Sequence, residues 1–186
     1  YVAKATDEAP PLAVPRGKVT GGSSAINFSS FFRGIPEDFD HWASIGNDYW
    51  NFDNVLPYFR KLETDLDQQG DYHGSEGPIV VHHAVKENWP PSQIAFYKAC
   101  RAAGFADCSD HNSPGSTGIG PSISNNHDGV RFSTALGYLS QSRNRPNLTI
   151  KPNSMVHKVV FEGKKATGVL TESSGEFSTE EGEKII

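Results

Sequence analysis

Arg16-Gly17-Lys18-Val19-Thr20-Gly21-Gly22-Ser23-Ser24-Ala25-Ile26-Asn27 is the stretch whose reading decides the fold. It sets four small residues in a row, Gly21 to Ser24, between two basic side chains and an asparagine. Paired glycines let a backbone approach a ligand that a Cβ would repel, and they can turn successive N–H groups to one side. The two serine hydroxyls add donors that rotate to suit. Such a surface suits a flat, polar, phosphorylated partner. Taken alone, the same residues also suit a Ser/Gly turn that caps a helix.

Working outward, residues 1–20 carry Pro10, Pro11 and Pro15 and read as extended. A helix is predicted over 36–46, with Pro36 in its first turn, Glu37 and Asp38 at its positive end, Gly46 as the stop, and Phe39, Trp42 and Ala43 on its buried face. A second helix is predicted over 54–63, capped by Asn51 or Asp53, with Val55, Leu56, Phe59 and Leu62 in helical period. Pro57 fits there only in a first turn. Residues 64–76 read as turns, and Gly77 to Val81 as a short strand. A third helix is predicted over 92–103 before Gly104, a loop over 105–128, and a fourth helix over 133–142. The pattern then changes to strands: 148–150, 156–161, 166–171 and 183–186, with the acidic, Ser-rich 172–183 as a solvated turn.

Continued through Phe31, Arg33-Gly34, Pro36 and Asp40, the opening stretch resembles the first signature of the glucose–methanol–choline (GMC) flavin oxidoreductases. The likeness goes on in the family's order. Trp50, Asp53-Asn54-Val55-Leu56-Pro57-Tyr58-Phe59 and Glu63 resemble its second block, and His73-Gly74-Ser75-Glu76-Gly77-Pro78 its HG..GP turn. Gly129-Val130-Arg131, Ser133 and Tyr138-Leu139 resemble a G.R.S…YL helix, Arg145-Pro146-Asn147-Leu148 an RPNL strand start, and Val156 with Ala166-Thr167-Gly168-Val169 a V…A.GV pattern. The resemblance implies an α/β fold: an FAD-binding Rossmann-like domain plus a substrate domain with a mixed sheet, both incomplete in this chain. The implied division is 1–63 for part of the FAD-binding domain and the flavin attachment loop, 64–145 for part of the substrate domain, and 146–186 for strands returning to the FAD-binding domain.

What the resemblance implies for function is oxidation of an alcohol to a carbonyl, with hydride passing to the N5 of FAD. The residues implied at the cofactor are Arg16, Lys18, Val19, Gly21, Gly22, Ser23, Ser24, Asn27 and Phe28, with the backbone of Val156 at the adenine. Gly and Ser N–H groups suit a diphosphate, and Asn27, able to donate and accept, suits the alternating N–H and C=O edge of a flavin. Val14 stands where some relatives carry a histidine bonded to the flavin, so noncovalent FAD is expected. Arg131 reads as a structural brace, and 108–127, with Phe96 and Tyr97, as the substrate side of a cavity. The family's G-x-G-x-x-G fingerprint and its catalytic histidine have no match here. The chain therefore reads as an internal fragment with no catalytic residue of its own, inactive alone and weak in FAD retention. Alternatives from the same scaffold are a hydroxynitrile lyase, a photodecarboxylase, or a noncatalytic flavin-binding protein; a stand-alone small domain is the remaining one.

Composition narrows the classes further. The 186 residues carry 17 Lys and Arg against 22 Asp and Glu, a net charge of −5, with no electrostatic footprint for nucleic acid. No apolar run approaches the ~18 residues of a membrane span, and no signal-peptide pattern is visible. Two cysteines, Cys100 and Cys108, are too few for a disulfide framework and are expected to be reduced, which favours a cytoplasmic setting. No metal site is expected. His82 and His83 are adjacent on a strand and point to opposite faces, His111 in Asp110-His111-Asn112 lacks a second cluster, and His73 shapes its turn. His41, His127 and His157 stand alone. The implied partner is a small-molecule alcohol.

Overall fold

Ile79, Val81 and His83 are buried while Val80 and His82 are half-buried, the period of a strand with one face on a core. In this computed structural model, which describes residues 2–186, that strand anchors the first of two units, Tyr1–Ser142 and Arg143–Ile186.

The first unit begins with β1 (Val2–Ala3) and β2 (Leu12–Ala13), an antiparallel pair. The Gly-rich stretch follows and closes into a single 3₁₀ turn, Gly22–Ala25. Then come α1 (Pro36–Ser44) and α2 (Phe52–Leu62). The Asn51 side chain accepts the Asn54 N–H at 2.9 Å, the cap expected of asparagine there. Next are β3 (Glu63–Asp65), β4 (Ile79–His83), α3 (Pro91–Ala102) and β5 (Ile123–Ser124). β3 runs parallel to β4 and β5 antiparallel to it, so β4 lies in the middle of a three-stranded sheet. The core of this unit is Ile79, Val81 and Ile123, with Phe31, Leu62 and Phe132 packed against it. β6 (Asn126–His127) and β7 (Val130–Arg131) form a hairpin, and the unit closes with a π-helical turn, Ala135–Leu139, and α4 (Ser140–Ser142).

The second unit contains an antiparallel meander of β8 (Met155–Glu162), β9 (Lys165–Ser173) and β10 (Glu176–Glu181), with β9 in the centre. Ser174 and Gly175 take φ of 54° and 86°, the paired left-handed turn that matches strand twist. On β9, Gly168 lets the next strand approach closely: a Cβ there would lie 2.6 Å from the Glu180 carbonyl oxygen.

Several elements depart from the sequence expectations. Residues 63–65 form a strand although two of the three are acidic, because Glu63 and Asp65 turn inward onto buried partners. The segment 105–128 contains β5 and β6, too short to show a period. Residues 148–150 are not a strand, since nothing pairs with them among the described residues. The expected turn at 172–183 holds β10, and 183–186 is no strand because the last rung is Gly182 N–H to Thr167 C=O at 3.0 Å. The helix expected over 133–142 opens as a π turn where buried Gly137 meets Pro78 and Ile79; a Cβ there would lie 2.5 Å from Ile79 Cδ1. Trp42 is exposed rather than buried, stacked edge-on against Phe39 and Trp50. Pro57 sits inside α2 rather than in its first turn; both it and Asp53, whose carbonyl loses a donor, are exposed to water.

Candidate functional site

The Gly-rich loop is folded back on itself. Gly17 N–H donates to Ser23 Oγ at 3.2 Å, and Gly22 N–H to the Val19 carbonyl at 2.8 Å. A Cβ on Gly17 would lie 2.2 Å from the Gly22 carbonyl oxygen, so only glycine permits this fold-back. Gly21 (φ 91°) faces Ala135, whose Cβ would lie 3.1 Å from an added Cβ. Gly22 (φ 57°) behaves oppositely: nothing lies within 4 Å of the place its Cβ would occupy. Its open side borders a groove of about 550 Å³ lined by Val14, Arg16, Gly17, Gly22 and Ser23.

Ser24 is not among the residues that line that groove. Its Oγ donates to the Gly21 carbonyl at 2.5 Å and accepts the Thr134 N–H at 3.0 Å, and Thr134 Oγ1 also donates to the Gly21 carbonyl at 3.2 Å. The Ser24 hydroxyl is thus a bolt between the loop and the start of the π turn. Arg16 is exposed and donates to the Pro15 carbonyl at 2.8 Å; Lys18 and Val19 are exposed.

Beyond the 3₁₀ turn, Arg131 on β7 reaches the same loop. Its Nη1 donates to Asn27 Oδ1 at 2.9 Å, to Ser29 Oγ at 2.8 Å, and to the Asn27 carbonyl. Ser29 is buried with φ 59°, a left-handed conformation held by its N–H bond to Asn27 Oδ1 at 3.1 Å and by Asn125 N–H on its carbonyl at 3.0 Å. The brace expected of Arg131 is therefore a clamp on residues 27–29. Phe28, between the clamped residues, is 94% exposed.

A second feature, which sequence reasoning missed as a unit, lies under β3 and β4. Arg33 Nη2 donates to Glu63 Oε1 at 2.5 Å, and Gly74 N–H to the same oxygen at 3.1 Å. His73 Nε2 lies 2.9 Å from Asp110 Oδ2 and its Nδ1 3.2 Å from Asp65 Oδ2; His83 Nε2 lies 3.1 Å from Asp65 Oδ2. The side chains of Arg33, Glu63, Asp65 and His73 are all at most 4% exposed. Burial pushes the Asp65 and Asp110 carboxyls up, yet both end below the usual carboxylate value. For Asp65 the His83 bond and the Asp67 and Gln68 N–H groups win; for Asp110 it is Ser113, the Asn112 N–H and His73. Burial lowers His83, and the Asp65 hydrogen bond and the charges of Asp65, Asp110 and Asp67 more than offset it, so its pKa is raised. Glu63, Asp65 and His73 bring three donor atoms within 4.8 Å of one another, but the Arg33 guanidinium already supplies the cation on Glu63. The cluster is an ion-pair network that ties the segment at Arg33, β3, the turn at His73, β4 and the 110–113 turn together. Its signal in the sequence was His83 in phase with Ile79 and Val81.

The same place explains the HG..GP turn. A Cβ on Gly74 would lie 1.9 Å from the Arg60 carbonyl oxygen, and one on Gly77 2.2 Å from the Glu63 nitrogen. Of the remaining histidines, His82 is half-buried and stacks edge-on with His127, and His111 edge-on with Phe32. Cys100 and Cys108 are unpaired. Phe96 and Tyr97 line a groove of about 350 Å³ with Trp89, Ile119 and Gly120, which joins α3 to the 108–127 segment. Val156 lies on β8 in the second unit, half exposed. No helix is long and apolar enough to cross a membrane among the described residues.

Comparison with known proteins places this geometry in a family. The sequence profile described as GMC oxidoreductase matches residues 3–186. The chain is 41% identical over 156 residues to an uncharacterised GMC-type oxidoreductase of Rhodococcus erythropolis, covering 84% of this chain and 31% of that protein. It is 39% identical over 168 residues to the oxygen-dependent choline dehydrogenase of Brucella anthropi, covering 90% of this chain and 30% of that one. Among solved structures, pyridoxine 4-oxidase from Mesorbium loti superposes with a TM-score of 0.85 at 29% identity, over 96% of this chain and 36% of that chain. The chain thus spans about a third of the length of these relatives. From the matched profile, the shared order of motifs and the superposed fold, this α/β chain is a member of the GMC oxidoreductase family.

Proposed function

We propose that the whole protein is an FAD-dependent oxidoreductase that converts a small alcohol to its carbonyl, and that residues 16–28 form the middle of its cofactor cradle. The observation that carries this is the open side of Gly22. The loop around it is locked by Gly17, Ser23, Ser24 and Thr134, while Gly22 itself presents bare backbone to a groove that Arg16 also lines. A cofactor pyrophosphate fits such a surface: it needs close backbone approach and positive charge nearby. Bound there, FAD would supply the hydride-accepting chemistry. This chain's own residues bind and orient it: the backbone of Gly21, Gly22, Ser23 and Ser24 along the phosphates, Arg16 and Lys18 as counter-charge, Val19, Asn27 and Phe28 toward the flavin.

Noncovalent attachment is part of the proposal. The groove wall at Val14 has no nucleophilic atom, and its neighbours Leu12, Ala13 and Pro15 have none either. The Val156 backbone is assigned to the adenine, and the 108–127 segment to the substrate side. The division into 1–63, 64–145 and 146–186 between the two domains belongs to the same proposal, as does a cytoplasmic setting. The choline dehydrogenase and pyridoxine oxidase names of relatives favour a small polar alcohol. The 186-residue segment alone is expected to turn over no alcohol. Anaerobic addition of an alcohol panel, choline and pyridoxine included, to the flavin-loaded whole protein tests the reaction. Bleaching of the flavin band by one of them is the expected result; a flavin that no alcohol reduces would count against it.

A further inference from the structure

The expectation that Asn27 both donates and accepts does not survive the geometry around it. Its Oδ1 already takes two donors, Ser29 N–H at 3.1 Å and Arg131 Nη1 at 2.9 Å. An amide turned the other way would set its NH₂ against those two donors, so the orientation is forced. The Asn27 Nδ2 has no hydrogen-bond partner among the described residues, and Asn27 is exposed. The side chain is left as a donor only.

Resting on the cofactor reading above, we infer that Arg131 is a positioning residue that locks the Asn27 amide with its NH₂ outward, so that Asn27 recognises an acceptor of the flavin edge, a C=O or an unprotonated ring nitrogen, and not its N–H. Three features support this. The clamp comes from β7, 104 residues along the chain, and joins the loop through a single nitrogen that meets Asn27 twice and Ser29 once. Ser29 holds a left-handed φ of 59° that the clamp stabilises, a conformation costly for a residue with a Cβ. And the guanidinium withdraws electron density from the amide oxygen, which strengthens the N–H on its far side as a donor. Side-chain freedom at Asn27 is removed before the ligand arrives, so less is lost on binding.

Asn27→Asp separates donor from clamp. An aspartate keeps an oxygen for Ser29 N–H and Arg131, and replaces the free NH₂ by an acceptor. In the whole protein, Asn27→Asp should keep the wild-type melting temperature of the apo form and bind FAD at least about tenfold more weakly by flavin-fluorescence titration. Arg131→Gln should weaken FAD binding by a similar factor, and Arg131→Lys should recover part of it. Wild-type FAD affinity in Asn27→Asp would overturn the donor role. Wild-type affinity in Arg131→Gln would overturn the positioning role. A wild-type protein that takes up no FAD would instead overturn the cofactor reading, and this inference with it.

Discussion

Ser24 Oγ accepts the Thr134 N–H at 3.0 Å, joining two residues 110 positions apart. The same hydroxyl donates to the Gly21 carbonyl, so the Gly-rich loop is fixed from outside itself. Truncating Ser24 leaves the Thr134 N–H without its acceptor and takes one of the two donors from the Gly21 carbonyl, which keeps Thr134 Oγ1. Ser24→Ala, which removes two hydrogen bonds at a partly exposed site, should therefore destabilise the fold by about 1–2 kcal/mol in urea unfolding, whereas Ser23→Ala, which removes one exposed acceptor, should cost about 0.5 kcal/mol or less. Equal effects would contradict the bolt.

The glycines of the HG..GP turn have a stricter requirement. Gly74→Ala would place a Cβ 1.9 Å from the Arg60 carbonyl oxygen, and Gly77→Ala one 2.2 Å from the Glu63 nitrogen. Backbone cannot yield as a flexible side chain can. Each substitution should cost about 3 kcal/mol or more by denaturant unfolding, while Gly70→Ala, with φ 106° and open space around it, should cost less.

Arg33 and Glu63 form a pair whose side chains are 2% and 1% exposed. Arg33→Met would leave the Glu63 carboxylate buried with Gly74 N–H as its main donor. The expected loss is about 3–5 kcal/mol. Adding Glu63→Gln should recover a large part of it, because the uncompensated charge goes with the carboxylate. A double variant no better than Arg33→Met would show that packing of the guanidinium against Phe59, 5.2 Å away, matters more than charge.

Stability should depend on pH on both sides of a plateau. His83 has its pKa raised from an ordinary 6.5 by Asp65, so its contribution is full below about 6.5 and fades as pH rises through the folded value. Asp65 and Asp110 lie below their ordinary 3.8, so their contribution is present above that and fades as pH falls through the folded values. From these groups the maximum falls between about pH 4 and 6.5. His83→Gln should flatten the alkaline limb of a melting-temperature profile and weaken only the Asp65 part of the acid limb, which Asp110 still supports. An unchanged alkaline limb would assign it to other groups.

Local chemistry explains what was legible in the sequence. The three long helices, the Ile79–His83 strand and the β8–β9 hairpin carry periods and caps within ten or so residues, and they stand close to where they were expected. Glu63–Asp65 and Glu176–Glu181 could not be read this way. Their polar residues are in strands because of partners elsewhere, Arg33 and His83 for the first and β9 for the second. The same holds in the candidate site. Gly21 and Gly22 read as close-approach positions from their pairing alone, whereas the fold-back of Gly17 onto Gly22, Ser24 facing Thr134 and Asn27 facing Arg131 depend on contacts the local sequence does not show, the last two over a hundred residues apart. Val80 and His82 alternate with the buried face of β4, and that alternation is why His83 joins the buried network while half-buried His82 reaches only Asp67, at 3.5 Å.

The central claim is that residues 16–28 cradle FAD without a covalent bond. The most direct measurement is the flavin content of the purified whole protein, followed by acid precipitation. Equimolar FAD released to the supernatant is the predicted result, with the yield falling in a Gly17→Val variant whose loop cannot fold back on Gly22. A protein that neither carries nor takes up FAD, or a flavin that stays with the acid pellet, would contradict the account.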